Sequence, residues 1–241
     1  GDYMQVTASV FNFLVFRNQE VGIHLDQFYG FDNNFLDHLN FVDCEIGFYQ
    51  EVDPSYNGGE TASMMYVDKT VFYRNQFENC GTAVSMRAER TDNLIAWIDS
   101  KFVGNSVAVD LKYHLGSFFA NCDFSNHDGD YVIGGSPIAL YSCDFNQNST
   151  NTLFDIREIV LEGCMFNDNI DLFTTDASIK AFIKNTKVIG NLGRIDNGVL
   201  MNTTVGNQNS VQPLFINYSD GEEQILLDKS SNPFPQLLVK H

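Results

Sequence analysis

One short pattern of apolar and polar positions recurs along the chain. It consists of a large apolar residue, two variable positions, a small residue, one variable position, a second apolar residue and, in most copies, an Asn two or three places later. The first copies are Phe41-x-x-Cys44-x-Ile46, Phe72-x-x-Asn75-x-Phe77 with Asn79, and Trp97-x-x-Ser100-x-Phe102 with Asn105. The middle copies are Phe119-x-x-Cys122-x-Phe124 with Asn126, Leu140-x-x-Cys143-x-Phe145 with Asn148, and Leu161-x-x-Cys164-x-Phe166 with Asn169. Ile183-x-x-Thr186-x-Val188 with Asn191 and Leu200-x-x-Thr203-x-Val205 with Asn207 complete the series. Successive small positions lie 31, 25, 22, 21, 21, 22 and 17 residues apart.

A unit this short cannot bury its own apolar residues, so each copy must stack on its neighbours. Alternation such as Cys143-x-Phe145 has the two-residue period of a strand. The two-residue gap between Leu140 and Cys143 predicts a bend from one sheet to the next. Asn after the strand suits a left-handed turn position, where its short side chain bonds locally and stacks on its equivalent above. A second strand is predicted in most rungs, over Val84–Arg87, Val107–Lys112, Tyr131–Ile133, Thr152–Arg157 and Asp171–Thr174. No 3.6-residue period spans a rung, which disfavours a helical solenoid. The fold class is therefore all-β, a right-handed parallel β-helix of about 21–22 residues per rung. It is expected over residues 1–217, with residues 218–241 as a C-terminal cap or linker. The 31-residue step holds an insertion at 49–70 that is expected to project as a loop, and loops of this length are often functional.

The N-C-D-F, S-C-D-F and G-C-M-F series at the middle copies resembles the pectin-lyase-like right-handed β-helix superfamily, from about Phe41 to Asn207. That resemblance implies an architecture shared by polysaccharide lyases, glycoside hydrolases, epimerases, phage tailspikes and adhesins. It implies an extracellular or cell-surface protein that binds or processes a polysaccharide or surface glycan. Two alternatives stand beside it: a non-catalytic structural or adhesive module of a larger surface protein, and a tailspike-like receptor binder. A longer native chain and a homo-oligomer fit these alternatives.

Composition narrows the partners. A net charge of −17 with only 14 Lys and Arg argues against nucleic acid, because phosphate binding needs a basic face. No apolar run approaches the ~18 residues of a membrane span. Five cysteines cannot all pair within one chain, and none has C-x-x-C spacing, so Cys122, Cys143 and Cys164 read as a column of buried, reduced thiols.

Candidate chemistry lies on the second strands. Aligned by distance from the template, Arg87, Lys112 and Asp155 share one offset, Glu89, His114 and Arg157 follow two residues later, and Asp110 sits just before them. A lyase needs a base to remove a proton α to a uronate carboxylate and a cation to hold the enolate. Lys112, His114, Arg87 and Arg157 are the candidates, with Tyr113 as an acid. A hydrolase needs two carboxylates about 5–10 Å apart, and Asp110 with Asp155 is the pair to test. Glu89, Tyr113 and the insertion tyrosines Tyr49, Tyr56 and Tyr66 are candidates for sugar binding. No cofactor is required on this reading. Calcium is the one candidate, at Asp123, Asp128 and Asp130 around a tight turn. His24, His38 and His127 lack metal-ligand spacing and are expected at the surface or in turns, and Trp97 belongs to the core.

Overall fold

The computed structural model describes residues 5–25, 30–50, 67–87, 94–112, 117–135, 137–167, 169, 179–189, 197–205, 208–210 and 214–217. Among them every regular element is a strand and none is a helix, and the strands stack in parallel as a β-solenoid. Three long sheets form its walls. The first has ten strands, beginning Val10–Asn12, Phe35–Asp37 and Thr70–Tyr73, passing through Ser117–Ala120, and reaching Lys180–Lys184 and Asn197–Met201. The second also has ten and includes Gln76–Glu78, Asp123–Ser125 and Asp144–Asn146. The third has six, from Val21–Leu25 to Thr152–Ile156. A short fourth sheet joins Gln5–Thr7, Gly30–Asp32 and Val67–Asp68. At the far end Gln208–Ser210 and Leu214–Asn217 pair antiparallel, reversing the chain against the last rungs.

The rungs are built on a beat of five residues. Left-handed residues fall at Ala8, Phe13 and Asn18, again at Asn33, His38 and Asp43, and again at Lys69, Arg74 and Asn79. Each lies two places after an inward-facing residue such as Phe11, Leu36 or Phe77, and each turns the chain into the next sheet. The recurring template holds two of these beats, so the expected bend after Leu140 is present, with Ser142 at φ 53°. Left-handed backbone is strained for most L-residues and least so for Asn and Asp. The repeated use of Asn at these corners (Asn18, Asn33, Asn79, Asn121, Asn126, Asn185, Asn202) follows from that.

Asn plays a second role that depends on spacing. Where it stands two places after the large residue, as at Asn79 and Asn126, it takes the left-handed turn. Where it stands three places after, as at Asn75, Asn105 and Asn148, its side chain is buried in the corner. There its amide clamps the previous rung. Asn105 accepts from the Cys80 N–H at 2.8 Å and donates to the Phe77 carbonyl at 3.1 Å. Asn75 makes the equivalent bonds to Leu39 and Leu36.

The interior is a column of aromatic rings. Phe41, Phe77, Phe102, Phe124, Phe145 and Phe166 stack with centroid spacings of 4.6–5.0 Å, close to the ~4.8 Å strand repeat. A second stack runs Phe72, Trp97 and Phe119, which places Trp97 in the core as expected. All five cysteines are buried and unpaired. Burial pushes the Cys80 thiol up to about 11, and the neighbouring thiols in the column, together with burial, push Cys143 and Cys164 up as well. These groups are packing residues held in the uncharged form.

His127 lies in a turn, one of the two places expected for it, but is buried there and not at the surface. It occupies the buried corner column between Asn105 and Asn148, fully enclosed. Its Nδ1 lies 2.8 Å from the Asn105 carbonyl and its Nε2 3.1 Å from the Phe102 carbonyl. A neutral imidazole has one N–H, so only one of these contacts is a hydrogen bond. Burial disfavours the charged form and lowers the His127 pKa below 6.5. Its folded value therefore lies under its unfolded one. Stability is full above about pH 6.5 and falls as pH drops toward the folded pKa, with a slope of up to about 1.4 kcal/mol per pH unit. Denaturant titrations at pH 7.5 and 5.5 are expected to show this loss, and His127→Asn, which matches its column neighbours, is expected to remove His127's share of it. An unchanged pH dependence in that variant would assign the loss to other groups.

Candidate interaction face

Of the sequence-predicted residues, Tyr49, Asp110 and Asp155 share an outward column of the third sheet, in a register different from the expected one. Arg87 and Lys112 are strand partners, as alignment suggested. Asp155 is not in line with them. It pairs with Gly134, which pairs with Asp110, so the outward column runs His24, Tyr49, Ser85, Asp110, Gly134, Asp155. The shift arises because eight residues separate Phe102 from Asp110 while ten separate Phe145 from Asp155. The corner between the second and third sheets lengthens by two residues from the Phe124 rung onward. Arg157 lies just past Ile156, exposed, beyond the end of that strand.

Asp110 and Asp155 stand two rungs apart, about 10 Å. Asp110 is only 6% exposed, whereas Asp155 is open to solvent. The Tyr131 ring fills the slot between them: a Cβ on Gly134 would come within 2.5 Å of it. Tyr49 is not part of a projecting loop. It lies in the strand Ile46–Gln50 with its ring stacked on His24 at 5.2 Å, because pairing to Val21–Leu25 and Thr82–Arg87 continues through Gln50. The insertion thereby shortens at both ends, since Val67 and Thr70 are buried strand residues. Glu89, Tyr113, His114, Tyr56 and Tyr66 lie outside the described residues.

The three calcium candidates are drawn to separate partners. Asp123 bonds Ser125, Asp128 accepts from the Ser106 hydroxyl at 3.1 Å, and Asp130 accepts from the Asn151 amide at 3.1 Å. Among the described residues no group of three His, Cys, Asp or Glu side chains gathers as a metal site would. No helix among them is long and apolar enough to cross a membrane.

The feature that stands out lies on the first sheet. One outward column there runs through Val10, Phe35, Val71, Ala96, Phe118, Ala139, Val160, Phe182 and Val199, in register on every rung. Every member is apolar. Val10 is 68% exposed, Phe35 36% and Phe182 38%. The next outward column adds Tyr73, Ile98, Ala120 and Tyr141 on consecutive rungs. The second sheet is the contrast. Its matching column reads Val15, Asn40, Gln76, Lys101, Asp123, Asp144, Met165, Lys187, Thr204, mostly polar as a solvated face should be. Burial raises the Asp144 pKa, and Asp123 beside it adds to the rise. Among the described residues charge on the first-sheet face is sparse: Lys180 pairs with Glu158 at 2.7 Å and Lys184 with Glu162 at 2.8 Å, and His38 Nδ1 lies 2.6 Å from the Asp37 carboxylate. The signal was present in the sequence as apolar doublets. Val71-Phe72, Phe118-Phe119 and Val160-Leu161 lie within the first-sheet strands, while Gln76-Phe77, Asp123-Phe124 and Asp144-Phe145 mark the second.

No protein-family model matches the chain, and no curated protein does. Among solved structures it is similar to two trypsin-treated variants of QnrB1, a plasmid-mediated fluoroquinolone resistance protein. One is 12% identical with a TM-score of 0.31, covering 82% of this chain and 92% of that chain. The other is 11% identical with a TM-score of 0.24 over the same shares. These neighbours are pentapeptide-repeat proteins, not polysaccharide-binding enzymes. The expectation of a polysaccharide-binding or -processing protein is corrected on that finding. The pectin-lyase-like resemblance holds as far as the parallel solenoid and no further. At these scores the likeness to QnrB1 itself carries no activity across.

Proposed function

We propose that the chain is a non-catalytic scaffold that works by protein–protein contact, with the outer face of the first sheet as its contact element. The observation that supports this reading is the unbroken apolar column from Val10 to Val199, beside a second sheet whose equivalent column is mostly polar. A contiguous apolar surface of this kind marks an interaction site far more often than a free surface. The polar residues support the same reading. They pair from rung to rung, as in Asn121 with Asp99, Asn167 with Asn146 and Asn202 with Asn185, so they serve the stack.

The test is the triple variant Phe35→Ser, Phe118→Ser, Phe182→Ser, read by solution mass and by an environment-sensitive apolar dye. A contact face is either covered, giving a mass above that of one chain, or open, giving dye fluorescence. The variant is expected to remove whichever signal the wild type shows, with little change in melting temperature, because these side chains point away from the core. A wild-type monomer that leaves the dye dark overturns the reading, as does a variant that changes neither signal.

A further inference from the structure

Resting on that reading, the shape and charge of the face select one kind of occupant: we infer that it receives a cationic amphipathic α-helix of about 28 residues, supplied by a partner protein and laid along the solenoid axis. The apolar column runs from Val10 to Val199 and on to Phe215, which pairs with Val199 from the strand Leu214–Asn217. Ten strands give nine steps of about 4.8 Å, a stripe roughly 43 Å long. The stripe is narrow. The second outward column, about 7 Å away, is apolar at Tyr73, Ile98, Ala120 and Tyr141 but polar at Asn12, Asp37, Glu162 and Lys184. Beyond it the corner is polar, from His38 and Arg74 through Asn121 to Asn202. With its margins the footprint is about 14 Å wide, the width of a single rod. An α-helix is about 10–12 Å across with its side chains and rises about 1.5 Å per residue, so about eight turns cover the stripe.

Backbone chemistry favours a helix over other rods. Each first-sheet strand from Phe35–Asp37 to Lys180–Lys184 is paired on both sides, so its N–H and C=O groups are committed to the ladder. An extended segment laid across the rungs would press its own backbone polar groups onto apolar side chains with nothing to bond. A helix satisfies those groups internally and presents side chains alone. A second sheet also satisfies its backbone, but face to face it sets several outward columns against the wall, wider than this stripe.

Charge sets the polar side of the helix. The chain carries −17, yet among the described residues the two columns hold only Asp37, Glu162 and Lys184 as charged groups. Lys184 is bonded to Glu162, and His38 lies beside Asp37. The contact itself is therefore nearly neutral, while the field around it is negative. Lys and Arg on the outer side of the helix are drawn to that field. Association is expected to weaken with added salt, which screens the attraction.

A synthetic helix tests the assignment. The probe is a labelled peptide of about 28 residues with Leu at the a, d and e positions of each heptad and Lys and Ala elsewhere. Read by fluorescence anisotropy, it is expected to bind the wild type at least about tenfold more tightly than Phe35→Ser, Phe118→Ser, Phe182→Ser, and to gain helical circular dichroism as it binds. A peptide of the same composition with its leucines scrambled is expected to bind neither protein. A peptide with Glu in place of Lys is expected to bind the wild type at least about tenfold more weakly. Equal affinity for the wild type and the triple variant would place the peptide elsewhere and overturn the assignment, as would binding without a gain in helicity. Equal affinity of the Lys and Glu peptides would overturn the cationic side. If the Lys peptide fails to bind a monomer whose dye fluorescence the triple variant removes, the helix falls and the contact face stands. A monomer that leaves the dye dark removes both. A wild-type mass above one chain that the triple variant abolishes would make a second copy the occupant in place of the helix.

Discussion

Replacing Phe124 by alanine is expected to cost about 3–5 kcal/mol, measured as a shift in denaturant midpoint with an unchanged slope. Its ring lies between Phe102 at 4.8 Å and Phe145 at 4.7 Å, nearly parallel to both, and Phe119 meets it edge-on at 5.5 Å. The side chain is fully enclosed. The backbone around it is fixed by pairing on both sides, to Lys101–Val103 and to Asp144–Asn146, so the walls cannot move in to fill the void. The upper part of the range is expected for that reason. A loss below about 2 kcal/mol would mean that the stack relaxes, and that the rungs are softer than their pairing implies.

Asn148→Leu is expected to cost a comparable amount by a different route. The Asn148 side chain accepts from the His127 N–H at 2.9 Å and donates to the Phe124 carbonyl at 3.1 Å and to Asn169 at 2.8 Å. Leucine has similar volume and none of these bonds. It strands a buried N–H and a buried carbonyl on the preceding rung, each at about 1–3 kcal/mol, or roughly 2–6 kcal/mol together. Asn148→Asp keeps the acceptor but loses the donor and buries a carboxylate, so its cost is expected to grow as pH rises. If the leucine variant melts like the wild type, the corner amides are not what clamps one rung to the next.

The solenoid was legible in the sequence because its signal is repeated and local. Large residues at fixed spacing must be stacked, and a strand can read in-x-in only one way. The finer register was not legible. Asp155 aligns with Lys112 by counting from Phe145, and only the two extra residues in the corner near Asp128 and Asp130 reveal that its partner column is that of Asp110. His127 was misread for a related reason. It lies three places after Phe124, in the corner slot that Asn105 and Asn148 fill on the neighbouring rungs, but the template tolerated Asn at either two or three places and so hid the difference. The interaction face was written in the residue just before each first-sheet core position, which a template of inward residues leaves blank. Side-chain chemistry at Glu89, Tyr113 and His114 falls outside the described residues, and neither the repeat nor the stacking speaks to it.

The aromatic stack has a mechanical corollary. From Phe41 to Phe166 the rings lie 4.6–5.0 Å apart, one strand repeat per rung, and the first-sheet strands keep one register over the same rungs, so each outward column advances by one strand at a time. A wall in constant register repeats itself at every step, and a ligand lying on a uniform wall could slide along it with little change in energy, one notch at a time. Friction of that kind must come from the pattern of side chains. Alanine at positions 96 and 139 and phenylalanine at 35, 118 and 182 turn an otherwise smooth rail into one with detents, and those detents are what would hold a long partner in a single place.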